Sequence, residues 1–76
     1  MNNTLIERIT VNNEIMAGKP TIRGTRLTVE IILEKLASGE SEDKIIEDYP
    51  ILVKEDIRAS LKYAAKSLSV SEILEV

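Results

Sequence analysis

From Gly18 to Arg26 the chain reads Gly-Lys-Pro-Thr-Ile-Arg-Gly-Thr-Arg, a stretch that neither a long helix nor a long strand can cross. Pro20 fixes its own φ and moves Lys19 out of the α region. Gly24 stands where a tight turn needs a φ that only glycine adopts cheaply. The nine residues hold two of the three glycines, one of the two prolines and three of the ten basic side chains. They read as a short strand, Thr21–Ile22, closing through an Arg-Gly turn into a first helix. Arg23 and Arg26 flank that turn, placed either to bind an anion or to pair with nearby carboxylates. Exposed pairs of the second kind are common and weak.

Before this elbow, residues 5–11 (Leu-Ile-Glu-Arg-Ile-Thr-Val) alternate from Glu7 onward. The alternation predicts a strand with Ile9 and Val11 on one face and Arg8 and Thr10 on the other. Asn12-Asn13 is turn chemistry. Ile15 and Met16 are expected to cover the edge of the core. Thr21–Ile22 then returns antiparallel to Arg8–Val11. A lone two-stranded ribbon is marginal in water, so it must pack on helices or pair with another copy.

Three helical patterns follow. Thr28 is an N-cap with Glu30 in the first turn. Val29, Ile32, Leu33 and Leu36 form one apolar stripe, Ile31 lies off its centre, and Gly39 takes the left-handed stop position. Ser41 caps a second, short helix with Glu42 and Asp43 in its first turn and Ile45, Ile46 and Tyr49 as its buried face; Pro50 stops it. The third opens at Glu55 and Asp56, with Ile57, Leu61, Ala64, Ala65 and Leu68 as the apolar stripe and Arg58, Lys62 and Lys66 as a basic one.

With 76 residues the chain is one domain, and a domain this small buries only about 60% of its unfolded surface. Docking on a second copy or a partner is therefore an expected further source of burial. There is no cysteine and no histidine. This removes disulfide, zinc-thiolate and His-based sites, and no enzyme, metal or cofactor is expected. The net charge of −3 is uneven. Residues 1–26 carry four basic and two acidic side chains, residues 27–53 two and seven, residues 54–76 four of each. A polyanion is repelled most by the middle segment. No apolar run reaches the roughly 20 residues of a membrane span, and Met1-Asn2-Asn3-Thr4 does not open a signal peptide. The chain reads as cytoplasmic.

The short helix, turn and longer helix from Ser41 to Lys66 match the outline of a helix-turn-helix. In that motif the second helix enters the major groove, which makes Lys54, Arg58 and Lys62 the candidate DNA contacts. A tri-helical core with a solvated third helix explains the same pattern. Two features oppose the DNA reading: Glu55 and Asp56 stand at the helix start, and Glu42, Asp43, Glu47 and Asp48 load the preceding helix. Gly18-Lys19 lacks the spacing of a phosphate loop. In the tail, Ile73, Leu74 and Val76 either fold back on the core or form a hook for a partner.

Arg8-Ile9-Thr10-Val11-Asn12, the Gly18–Arg26 stretch and Glu47-Asp48-Tyr49-Pro50 together resemble domain of unknown function family 433, over roughly Ile6 to Ala65. Leu36-Ala37-Ser38-Gly39 supports the resemblance. It implies a homeodomain-like, helix-turn-helix-type fold and an antitoxin role beside a PIN-type nuclease toxin, with repression of the chain's own operon as a second role. Lys19, Arg23, Gly24, Thr25 and Arg26 match the family signature directly. One departure stands out: where the family's third helix opens with a Thr or Ser cap, this chain has Val53, a loss of about 1 kcal/mol.

The expectation is thus a mainly α domain, a three-helix helix-turn-helix core (28–66) with an N-terminal two-stranded β ribbon and elbow (1–27) and a tail (67–76). It is expected to be a homodimer that holds a PIN-type toxin through Ile73, Leu74 and Val76 of the tail, with an apolar helix face as a further contact. Operator DNA would be met by Arg58, Lys62, Lys66 and Lys54, assisted by Arg23 and Arg26. The alternative is a protein–protein interaction module without DNA binding.

Overall fold

The structure, a computed structural model, describes residues 5–68. Two short strands, β1 (Ile9–Thr10) and β2 (Thr21–Ile22), pair antiparallel with Ile9 opposite Ile22 and Thr10 opposite Thr21. Three helices follow: α1 (Val29–Ala37), α2 (Glu42–Asp48) and α3 (Lys54–Leu68). The expected fold class, a three-helix core behind a short ribbon, is the one present. Ile9, Ile22, Val29, Ile32, Ile45, Leu52, Ile57 and Ala59 form its buried core, drawn from both strands, all three helices and the α2–α3 turn. Each fully buried Ile or Leu contributes about 1.5–3 kcal/mol.

The Gly18–Arg26 stretch organises the N-terminal half through its main chain. Pro20 accepts from the Val29 N–H at 2.9 Å, which ties the strand to the first turn of α1. Arg23 N–H donates to Arg8 (2.7 Å) and Ile22 N–H to Leu27 (2.9 Å). The turn itself closes by Thr25 N–H on Ile22 O (2.9 Å), with Gly24 at φ +81°. That is the type II arrangement, whose third residue needs a positive φ. Nothing lies within 4 Å of where a Gly24 side chain would begin, so backbone conformation and not space calls for glycine there. The Thr25 hydroxyl donates to Ile22 O (2.8 Å) and accepts from Leu27 N–H (3.0 Å), bracing the turn from inside.

Helix boundaries follow the caps. Thr28 Oγ1 accepts from Ile31 N–H and Ser41 Oγ from Lys44 N–H, both at 3.1 Å. Gly39 follows α1 with φ +98°. Along α1, Val29 and Ile32 are buried, Leu33 and Leu36 half-buried, and Ile31 is exposed, as the stripe required. On α2, Ile45 is buried while Ile46 and Tyr49 are half-buried.

Four expectations are corrected. The strand predicted over 5–11 shrinks to two residues, because Ile6–Arg8 form a single 3₁₀ turn. Val11 therefore leaves the ribbon and is exposed, although Ile9 is buried. Met16 is also exposed; it belongs to a turn in which Met16, Ala17 and Gly18 all have positive φ (51°, 57° and 84°). For Met16 and Ala17 this conformation costs roughly 1–2 kcal/mol each. The turn is held by Gly18 N–H on Ile15 O and Lys19 N–H on Met16 O, both at 3.1 Å.

The other two corrections concern α3. Its inward face holds Asp56, Ile57, Ala59 and Ser60, with Tyr63 packed against the core, whereas Leu61, Ala65 and Leu68 are exposed. The helix has turned its polar residues inward because they are satisfied there. Ser60 Oγ donates to Asp56 O at 3.1 Å, and the Asp56 carboxylate has two donors of its own. One of them repairs the missing cap: Val53 N–H donates to Asp56 Oδ2 at 3.0 Å. This is the back-reaching arm of a capping box, made without a hydroxyl at the cap position.

Candidate functional site

Asp56 is the side chain on which the N-terminal end of α3 depends. Only 6% exposed, it accepts from Arg8 Nη1 at 3.0 Å through Oδ1 and from Val53 N–H through Oδ2. A buried carboxylate is retained when it is both charge-paired and hydrogen-bonded. Sequence reasoning placed Asp56 on the helix surface as a deterrent to phosphate. It points inward instead, and Glu55 is the exposed acid at that end. The Arg8 partner is 48 residues away in the chain, and no local spacing signals it.

The candidate DNA contacts distribute unevenly. Lys54, Arg58, Lys62 and Lys66 are all exposed along α3. Lys54 Nζ lies 3.7 Å from Asp43 Oδ1 and Arg58 Nε 3.9 Å from Glu42 Oε2. Both contacts tie α3 to the acidic start of α2. Pairs of that length and exposure contribute under about 1 kcal/mol and weaken in salt. Lys62 makes no ion pair among the described residues, and Lys66 has a contact of its own. Arg23 reaches the same end of the molecule, bordering a polar cleft with Arg8, Glu55 and Asp56; Arg26 is exposed on the turn and does not border that cleft. Lys19, from the signature, pairs with Glu30 at 3.1 Å. Ile73, Leu74 and Val76 lie outside the described residues.

A second surface gives the expected apolar helix face its place. Beyond the reach of α2, a groove of about 760 Å³ runs between α1 and the C-terminal half of α3. Val29, Leu33 and Ala37 line it from one helix and Tyr63, Ala64 and Leu68 from the other. Pro20 of the signature stretch closes one part of its wall, and the exposed Glu30 and Glu34 border it. The sequence held one signal for it. The α1 stripe and the small residues of α3 are more apolar surface than three short helices can cover from one side. Among the described residues no group of three or more carboxylates gathers as a metal site, and no helix is long and apolar enough to cross a membrane.

The fold and these surfaces define a small three-helix domain with an N-terminal ribbon, built around one signature turn. A model of the family described as protein of unknown function (DUF433) matches residues 9–64; the chain belongs to that family. A relative from Sinorhizobium fredii (strain NBRC 101917 / NGR234), named uncharacterized protein y4eO, is 36% identical over 58 residues. The match spans 76% of this chain and 26% of the relative, so the chain corresponds to about a quarter of that protein. The crystal structure of a DUF433 member protein from Anabaena variabilis ATCC 29413, at 2.00 Å resolution, resembles this fold with a TM-score of 0.76 and 25% identity. The likeness covers 83% of this chain and 62% of that one, so here too the chain is shorter than its relative.

Proposed function

We propose that this chain is a non-enzymatic docking protein of the antitoxin type, which works by presenting the apolar face of α1 and α3 to other polypeptide. The groove between Leu33 and Tyr63 carries this reading. A domain this small has little apolar surface to spare, and a contiguous apolar groove on it marks an interaction site more often than a packing defect. In the setting that the family resemblance implies, the protein being neutralised is a PIN-type nuclease, with Ile73, Leu74 and Val76 as a further hook for it.

The test starts at the neighbouring gene. If it encodes a PIN-type nuclease, the purified chain is expected to suppress that nuclease's ribonuclease activity stoichiometrically. Leu33→Glu is expected to abolish suppression while leaving the far-ultraviolet circular dichroism intact. A nuclease that stays fully active in excess chain overturns the reading, as does a neighbour of unrelated type.

Operator binding is the second reading, favoured by the inward turn of Asp56. That turn removes one of the two acids that faced phosphate and leaves Lys54, Arg58 and Lys62 along the outer edge of α3. Opposing it, Glu42 and Asp43 already engage two of those cations. A gel shift with the chain's own upstream DNA at low ionic strength, where phosphate contacts are strongest, decides it. An unshifted band there removes the DNA role.

A further inference from the structure

We propose that the α1–α3 groove is filled by α3 of a second copy of this chain, with Leu61, Ala65 and Leu68 of each copy seated on Leu33 of the other and Lys62 of each meeting Glu34 of the other. The proposal rests on reading this face as a docking surface and names its occupant in the free chain, which a neutralised protein would displace.

The first observation is a leftover stripe. Leu61, Ala65 and Leu68 fall at i, i+4 and i+7 on α3, one continuous line along the helix. Leu61 is 47% and Leu68 75% exposed, so the protomer's own core does not take them up. Leu68 also lines the groove, and the stripe and the groove are therefore one apolar surface. A surface that carries both the ridge and the furrow is self-complementary. Two copies related by a two-fold axis then cover both at once. Ala64 in the groove and Ala65 on the stripe are small enough to let the helices approach closely.

Charge supplies the second observation. Glu34 borders the groove on the α1 side and Lys62 borders the stripe on the α3 side. Neither makes an ion pair among the described residues. Their neighbours do: Glu30 is taken by Lys19 and Arg58 by Glu42. An occupant of this groove is thus expected to be an apolar helix with a cation on its flank, and α3 itself answers that description. Complementary charges at the edge of such a contact fix its register more than they raise its affinity.

Sedimentation equilibrium of the full chain, from micromolar to millimolar concentration, is the experiment. A monomer–dimer equilibrium is expected, with Leu61→Glu monomeric throughout and unchanged in helical content, since that side chain already faces solvent. Glu34→Lys and Lys62→Glu are each expected to weaken the dimer by roughly tenfold, and the double variant to recover most of the loss. A wild-type chain that stays monomeric overturns the proposal. So does a dimer indifferent to Leu61→Glu, or charge reversals that fail to compensate. If the wild-type chain is monomeric while Leu33→Glu still abolishes nuclease suppression, the occupant is the partner protein and only the second copy is ruled out. If it is monomeric and Leu74→Glu destabilises it, the occupant is the chain's own last residues.

Discussion

The two halves of α3 are built on opposite principles. From Lys54 to Ser60 the helix is fastened. Asp56, Ile57, Ala59 and Ser60 are buried, and Asp56 alone joins the helix start, the α2–α3 turn and the N-terminal 3₁₀ turn through Val53 and Arg8. From Leu61 to Leu68 the same helix packs Tyr63 on the core but leaves Leu61, Ala65 and Leu68 exposed, beside a groove shared with α1. One helix thus supplies the stability at one end and an uncommitted surface at the other. A small domain can expose apolar surface only if the rest of the fold is secured elsewhere, and here a buried polar hub adds to what the aliphatic core supplies.

The sharpest way to break that contrast is truncation on either side of it. Ile57→Ala, at a fully buried site, is expected to cost about 2–5 kcal/mol. A chain of this length has a total stability of roughly 4–11 kcal/mol, so the variant sits near or beyond unfolding. Leu61→Ala and Leu68→Ala are expected to change stability by less than about 0.5 kcal/mol at concentrations where the chain is monomeric. Urea titrations followed by circular dichroism measure all three. A Leu68→Ala cost matching that of Ile57→Ala would show that the C-terminal half of α3 is core after all.

Asp56→Ala probes the fastening itself, with the next largest effect. It leaves Arg8 without its carboxylate and Val53 N–H without its acceptor. The lost cap contributes about 1 kcal/mol. The pair adds about another, discounted because the Arg8 side chain is 41% exposed and partly screened by water. The expected total is about 2 kcal/mol. Asp56→Asn keeps an acceptor for Val53 and is expected to recover roughly half. If both variants stay within experimental error of wild type, the hub is decoration and the aliphatic core alone fastens the helix.

Backbone conformation gives a smaller and two-signed test. Gly24→Ala, at φ +81° with open space around it, is expected to destabilise by about 1 kcal/mol. Ala17→Gly, at φ +57°, is expected to stabilise by about 0.5–1 kcal/mol, because it relieves a conformation that glycine tolerates. Opposite signs in one denaturation series would confirm that the chain stores strain at the Ala17 turn and avoids it at the Gly24 turn.

What the sequence disclosed divides along the same line. Features that act within four residues were legible: the caps at Thr28 and Ser41, the stop at Gly39 and the turn at Gly24. Each rests on local hydrogen bonding or a local φ. The rotation of α3 was not legible, because the residues that decide it are polar. Asp56 looks solvent-facing until the fold brings Arg8 to it, and Ser60, which bonds the carbonyl one turn back in its own helix, is carried inward with it. Once they turn inward, Leu61 and Leu68, which read as core by period alone, must turn out. The groove was hidden for the same reason, since it exists only where the real apolar face of α3 departs from the periodic one. Signature residues such as Thr25 were visible as a pattern without a role; the turn's hydrogen bonds give them one.

The smallest effect lies on α2, away from both halves of α3. Lys44 Nζ stands 3.3 Å from Asp48 Oδ1. The Lys44 pKa is raised above the ordinary lysine value, chiefly by its hydrogen bond to Asp48, then by the charges of Asp48 and Glu47. A raised folded-state pKa stabilises the fold below the unfolded value, and the contribution is lost as pH rises through the folded one. Two circumstances keep it small. Lys44 is exposed, and a lysine placed N-terminal to its carboxylate partner stands in the less favourable order for an (i, i+4) pair, against the helix dipole. Lys44→Met is accordingly expected to lower the urea midpoint only slightly at neutral pH, with the difference from wild type vanishing at strongly alkaline pH. A difference that grows with alkalinity has the wrong sign for this pair. It would mean that Asp48 and Glu47 do not hold the Lys44 charge in the fold, and that the fastening of the domain is left to α3.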